Sequence, residues 1–190
     1  MKKIIIILTL IVSIQSFGQK APEIELKNIF YSLPIESGIE VIIDSAKNTE
    51  LISLYDTLIV IDELYFTGHF YKNNYVLIEF ISGQIEIFRA ENWTLNGVVV
   101  DTMDIMVLYF NYGNEVTKDI RKEYNKLIKT FKGITKANKE YETYADSGLV
   151  RYGYLFFKSE NDKLPFMSIE IGLGDCISNT KSLIIKYYKI

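Results

Sequence analysis

Residues 64–89 read LYFTGHFYKNNYVLIEFISGQIEIFR, and how this stretch divides decides the fold. Aromatic and β-branched residues dominate it, which favours strands. Asn73-Asn74 and Ser82-Gly83 stand where two-residue hairpin loops are expected, because Asn and Gly tolerate a positive φ. With both loops in place the stretch forms three antiparallel strands at 64–72, 75–81 and 84–89. One face then gathers Tyr71, Val76, Ile78, Phe80, Ile85 and Ile87 as a core face. On the other face Gly68, Glu79 and Glu86 share a row, with Phe70, Leu77 and Phe88 on one side of it and Phe66, Ile81 and Gln84 on the other.

Outward from this stretch, strand signals continue at 57–61, 103–112, 150–158, 166–173 and 183–190. The 103–112 run is apolar almost throughout, as a strand covered on both faces is. Two segments carry helical spacing instead. Ile35, Ile39, Ile42, Ile43 and Ala46 line one face after Pro34, with Glu36 and Glu40 in the early turns. Val116, Ile120, Tyr124, Leu127, Ile128 and Phe131 line another, with Asn114 placed as a cap and Gly133 as a stop. The order is helix, strands, helix, strands, and it predicts an α+β fold with a largely antiparallel sheet and two main helices. Two tandem helix-plus-strands halves with a boundary near residue 113 fit the same order. In that order the chain resembles the β-lactamase-inhibitor-like exported proteins, whose tandem modules repeat a helical element and an antiparallel sheet. The likeness is architectural and brings no motif residues or family assignment with it.

The N-terminus predicts a destination. Lys2 and Lys3 precede an apolar run from Ile4 to Val12, broken only by Thr9 and continuing past Ser13 to Ile14. Spanning a bilayer takes about twenty residues, so this run reads as a secretory signal and not as a stable membrane span. Ser16-Phe17-Gly18 supplies small residues for cleavage after Gly18. Residues 1–18 are then the signal peptide and residues 19–190 one α+β domain, periplasmic or secreted. Cleavage removes two of the 21 Lys and Arg and none of the 24 Asp and Glu, which moves the formal charge from −3 to −5. Excess acid argues against nucleic acid, which is bound through clustered Lys and Arg. The densest basic stretch, 118–139, has helical spacing and reads as a solvated helix face.

Candidate chemistry is sparse. The Glu79–Glu86 pair, with Phe70 and Phe88 beside its row, reads as a shallow site for a cationic or sugar-like ligand, since opposed carboxylates raise the pKa of one of them. The competing reading is that both glutamates simply reach solvent or a lysine. His69 is the only histidine and Cys176 the only cysteine, so neither a two-histidine zinc site nor an internal disulfide is available. Alternation places His69 with Thr67, Tyr71 and Ile78 at the edge of the core. Asp101 with Asp104, Asp62 with Glu63, and Glu160 with Asp162 lack the ligand spacing of a calcium loop. No nucleophile elbow, phosphate loop or dinucleotide fingerprint is present, and no metal or cofactor is expected. The 14 Tyr and 11 Phe exceed what a core of this size requires, and Tyr152 and Tyr154 mark a tyrosine-rich strand suited to recognition. Three functions remain open: a non-enzymatic module binding an envelope or extracellular protein or a glycan, an envelope hydrolase using a carboxylate pair, and a carrier of a small apolar ligand.

Overall fold

The computed structural model describes residues 26–54, 64–73, 76, 79–113, 117–145, 148–172 and 181–190. Among the described residues two full helices, α1 (Ile39–Lys47) and α2 (Lys118–Ile134), and a helical turn at 26–29 accompany eight strands. These are β1 (Ser53–Leu54), β2 (Tyr65–Phe70), β3 (Ser82–Leu95), β4 (Val98–Asn111), β5 (Ala137–Ala145), β6 (Gly148–Phe157), β7 (Met167–Gly172) and β8 (Ser182–Lys189). They form one antiparallel sheet in the order β1-β2-β3-β4-β8-β7-β6-β5, the α+β class that the sequence order predicts. The last strand of the first set, β4, lies beside the last strand of the second, β8. The signal segment, the 57–61 strand and Cys176 fall outside the described residues.

Both helices pack on one face of the sheet. Ile39, Ile42, Ile43 and Ala46 of α1 and Tyr124, Leu127, Ile128 and Phe131 of α2 share a single core with Phe66, Ile85, Leu108, Ile169 and Ile185. Burying each such side chain stabilises the fold by about 1.5–3 kcal/mol. Phe70, Phe80 and Phe110 add an edge-to-face cluster with centroids 5.1–5.5 Å apart. A segment the strand and helix signals do not mark, with Leu26, Ile29, Phe30 and Leu33 buried, completes this core. It is tied down by Tyr187, whose hydroxyl donates to Glu36 at 2.9 Å.

The helix boundaries differ from expectation by a few residues. Thr117 caps α2, accepting from the Ile120 amide, and Asn114 lies outside the described residues. The helix runs through Gly133 to Ile134, because Ile134 still packs on the core, and it ends where Thr135 turns its own N–H and hydroxyl onto the Phe131 carbonyl.

The strand register is the main correction. Ser82-Gly83 is not a turn: both residues belong to β3, and Gly83 sits opposite Phe70. A Cβ at Gly83 would overlap the Phe70 ring, so this glycine serves close packing. Asn73 lies outside any strand but is no exposed turn, since its buried amide donates to the Ile29 carbonyl at 2.9 Å, and Asn74 lies outside the described residues. Val76, Glu79 and Phe80 lie outside any strand, and Tyr71 is 84% exposed instead of in the core. The hairpin turn of this region is Asn96-Gly97, with φ of 50° and 79°, the pair of positive values a type I′ turn requires.

Around that turn β3 and β4 form a long two-stranded arm. Asn92, at φ 50°, interrupts the alternation, so that Ala90 faces inward before it and Leu95 after it. The arm folds across the sheet face opposite the helices, burying Ala90, Leu95, Val100 and Met103 against Ile105, Val107, Ile184 and Tyr188. Its tip is pinned by Asn96, which donates to the Lys163 carbonyl at 2.9 Å and accepts from Lys139 at 3.0 Å.

Candidate functional site

The face opposite the helices is built by alternation. Register places Tyr65, Phe88, Ile105 and Tyr188 in one row across β2, β3, β4 and β8. The next row runs Thr67, Glu86, Val107, Lys186 and Ser168, and the third His69, Gln84, Tyr109, Ile184, Glu170, Gly153 and Tyr141. The arm covers the middle of this face, and the polar residues fall on its two sides.

On the β7–β8 side Glu170 is 1% exposed. It accepts from the Ser168 hydroxyl at 2.7 Å and pairs with the Lys186 ammonium at 2.7 Å, and Arg151 stands 3.9 Å away. Tyr188 extends the network through Ser168, 3.1 Å from its hydroxyl. Tyr141 shares this row across Gly153, where a Cβ would overlap the Ile169 carbonyl, and Glu170 Oε2 has no hydrogen-bond partner. Burial alone would push the Glu170 carboxyl up, but the Lys186 charge and the hydrogen bonds around the group outweigh it and hold it below the usual range. Burial pushes the Tyr141 and Tyr188 hydroxyls far up, and the neighbouring Glu170 charge adds to it.

On the β2–β4 side Glu86 is half-buried. It accepts from Gln84 Nε2 at 2.8 Å and from the Tyr109 hydroxyl at 3.2 Å. Burial raises its pKa, and these two hydrogen bonds only partly reverse the shift. Its partner across the ladder is Thr67, whose hydroxyl is buried with no hydrogen-bond partner. The Tyr65 and Phe88 rings lie one row away, 6.3 Å apart. His69 completes the edge, its Nδ1 3.2 Å from the Gly83 carbonyl.

The sequence-predicted site residues are therefore dispersed. Glu79 is exposed outside the strands, so the expected Gly68–Glu79–Glu86 row does not form, because β2 pairs directly with β3. Phe70 lies on the helix face, fully buried, while Phe88 keeps company with Glu86 on the other. Tyr152 and Tyr154 also lie on the helix side, half-buried at α2, where Tyr152 meets the Tyr124 ring and Lys132 sits 3.7 Å from the Tyr154 ring centre. Tyr109, Glu170 and Lys186 are the residues sequence reasoning missed. The signal for the last two was a lone acid in MSIEIG and a base inside SLIIKYYK, two mostly apolar strands that must pair to hide them. Among the described residues no cluster of three or more His, Cys, Asp or Glu is placed to hold a metal ion, and no helix is long and apolar enough to cross a membrane.

Comparisons with family models, with curated proteins and with solved structures find no match to this chain.

Proposed function

We propose that the chain is an exported, non-enzymatic binding protein of the bacterial envelope or extracellular space, and that it receives its partner on the face of the sheet opposite the helices. The observation behind this reading is the state of that face on its β2–β4 side. Tyr65, Thr67, His69, Glu86, Phe88 and Tyr109 are all half-buried there, in adjacent rows on the face opposite the two described helices. Aromatic side chains with polar tips give broad contact at low entropic cost, and a shallow floor of this kind suits recognition. The Lys2-Lys3 and apolar N-terminal pattern supports export. The hydrolase reading loses its support, since its two carboxylates do not face one another.

The test is affinity capture from an envelope extract by the tagged protein expressed with its own leader, with bound proteins and small molecules read by mass spectrometry. The expected result is a partner retained by the wild type and by Tyr154→Ala, and lost by Tyr65→Ala with Phe88→Ala. Capture indifferent to the double substitution overturns the assignment of the face. A recovered protein that still begins at Met1 and stays in the cytoplasmic fraction overturns export.

A further inference from the structure

Resting on that reading of the face, we propose that Glu86 receives an organic ammonium group, with the Tyr65 and Phe88 rings as the wall of the site and Thr67 as its second acceptor. Charge accounting across the face leads to this residue. On this face Glu170 is paired with Lys186 at 2.7 Å and Arg151 at 3.9 Å, while the Asp104–Arg89 pair at 2.8 Å lies on the helix side. Glu86 has only the neutral donors Gln84 and Tyr109, and no cation pairs with it among the described residues. A half-buried carboxylate with incomplete compensation attracts a mobile positive charge.

The surroundings select the kind of cation. Each Glu86 oxygen already takes one donor, Gln84 on Oε1 and Tyr109 on Oε2. The open bidentate edge that a guanidinium fork prefers is therefore obstructed, whereas an ammonium asks for single acceptors around a point charge. The buried Thr67 hydroxyl, unpartnered and directly across the ladder, offers one more. The Tyr65–Phe88 pair stands one row from Glu86 on the same face, and burial first and the Glu86 charge second raise the Tyr65 hydroxyl pKa, so the carboxylate and the ring pair act on the same volume. Aromatic faces attract ammonium and methylated ammonium groups electrostatically and pack against the alkyl stem that carries them. A hard divalent cation is disfavoured, because one carboxylate and neutral oxygens fall short of the six or more ligands it takes.

The same chemistry is carried by a free small amine and by a lysine side chain of a peptide. The experiment titrates the exported, purified protein with n-butylammonium chloride and with Nα-acetyl-lysine amide, with n-butylguanidinium and butyrate as controls, followed by amide chemical shifts. Binding centred on β2 and β3 is expected for the two ammonium probes, at least about tenfold weaker in Glu86→Gln and weakened by salt. A thermal melt shows that the variant is folded. Tighter binding of the lysine amide identifies a peptide lysine as the source, and tighter binding of the simple amine a free ligand. Equal binding of the guanidinium or of butyrate overturns the proposal, as does ammonium binding that Glu86→Gln leaves unchanged. If capture from the envelope extract depends on Tyr65 and Phe88 but ignores both Glu86→Gln and competing amine, the ammonium assignment fails and the reading of the face stands. If capture ignores every substitution on the face, both fail.

Discussion

Glu86 and Glu170 lie on the same face of one sheet with β4 and β8 between them, and they have been given opposite treatment. Glu170 is sealed beneath neighbouring side chains and provided with the Lys186 ammonium, the nearby Arg151 guanidinium and the Ser168 hydroxyl, while its Oε2 has no hydrogen-bond partner. Glu86 is half-buried and provided with two neutral donors. A buried charge paired with a cation belongs to the fold, since removing that partner leaves an uncompensated charge in a low-dielectric interior. A half-buried charge without a cation carries a standing cost that a ligand can relieve. The comparison separates a structural carboxylate from an available one without reference to any motif.

The largest expected effect comes from breaking the cation-paired side. Lys186→Met leaves Glu170 buried without its ammonium and destabilises the protein by about 3–5 kcal/mol, measured by denaturant titration at neutral pH. Glu170 has a depressed pKa in the folded state, so its contribution is present above the ordinary carboxylate range and is lost as pH falls through the folded value. The cost of Lys186→Met accordingly shrinks in acid. Adding Glu170→Gln to Lys186→Met recovers part of the loss. A single-variant cost under about 1 kcal/mol would mean the network is no more than a surface ion pair.

Next in size is the glycine between Tyr141 and Glu170. In Gly153→Ala the new methyl overlaps the Ile169 carbonyl and lies 2.9 Å from Glu170 Cα, so β6 and β7 must shift apart. The expected loss is about 1–3 kcal/mol, with the shift readable in the β6 and β7 amide resonances and absent from β2.

The sequence made the sheet and helices legible but not their register, and the reason lies in particular residues. The helix-face alternation of Ile85 and Ile87 and the all-apolar run of β4 survive any choice of partner, because they depend only on a period of two. Register instead depends on which glycine marks a turn. Gly83 and Gly97 look alike in sequence, yet one accommodates the Phe70 ring and the other supplies a positive φ. The Asn96-Gly97 dipeptide was the stronger hairpin signal, and reading it first places Glu86 opposite Val107. β5 went unread because ANKEYETYA mixes charge with tyrosine at a sheet edge, where one side of the ladder is unpaired and apolar alternation is not required. Of the candidate site, Glu86 and Phe88 were legible; the half-burial of Glu86 was not, since it comes from Tyr109 and from strands distant in sequence.

The arm sharpens the contrast further, since it roofs Ile184 and Tyr188 on the Glu170 side. Asn96→Ala removes both pins at its tip and puts alanine, which tolerates the left-handed region less well than asparagine, at φ 50°, at an expected cost of about 1–2 kcal/mol. Trp93, the single tryptophan, rides on the arm and reports its loosening through greater quencher access. Amine binding at Glu86 should be unaffected, whereas a parallel loss would tie the two sides into one site.

The smallest effect has the opposite sign. Glu86→Gln removes a charge whose folded pKa is raised, keeps an acceptor for Gln84 or Tyr109, and should stabilise the unliganded protein by less than about 1 kcal/mol at neutral pH. The sign follows from linkage: a carboxyl raised above its unfolded value favours folding only below the ordinary carboxylate range, and that contribution is lost as pH rises through the folded value. His69, Tyr65 and Tyr109 are the titratable neighbours from β2 and β4, and the two tyrosines stay neutral throughout this window. The wild-type and Glu86→Gln melting curves should therefore converge in acid and separate near neutrality, with the variant higher. A variant less stable than wild type at neutral pH would mean that Gln84 and Tyr109 already compensate the charge in full, and Glu86 would join Glu170 as part of the scaffold.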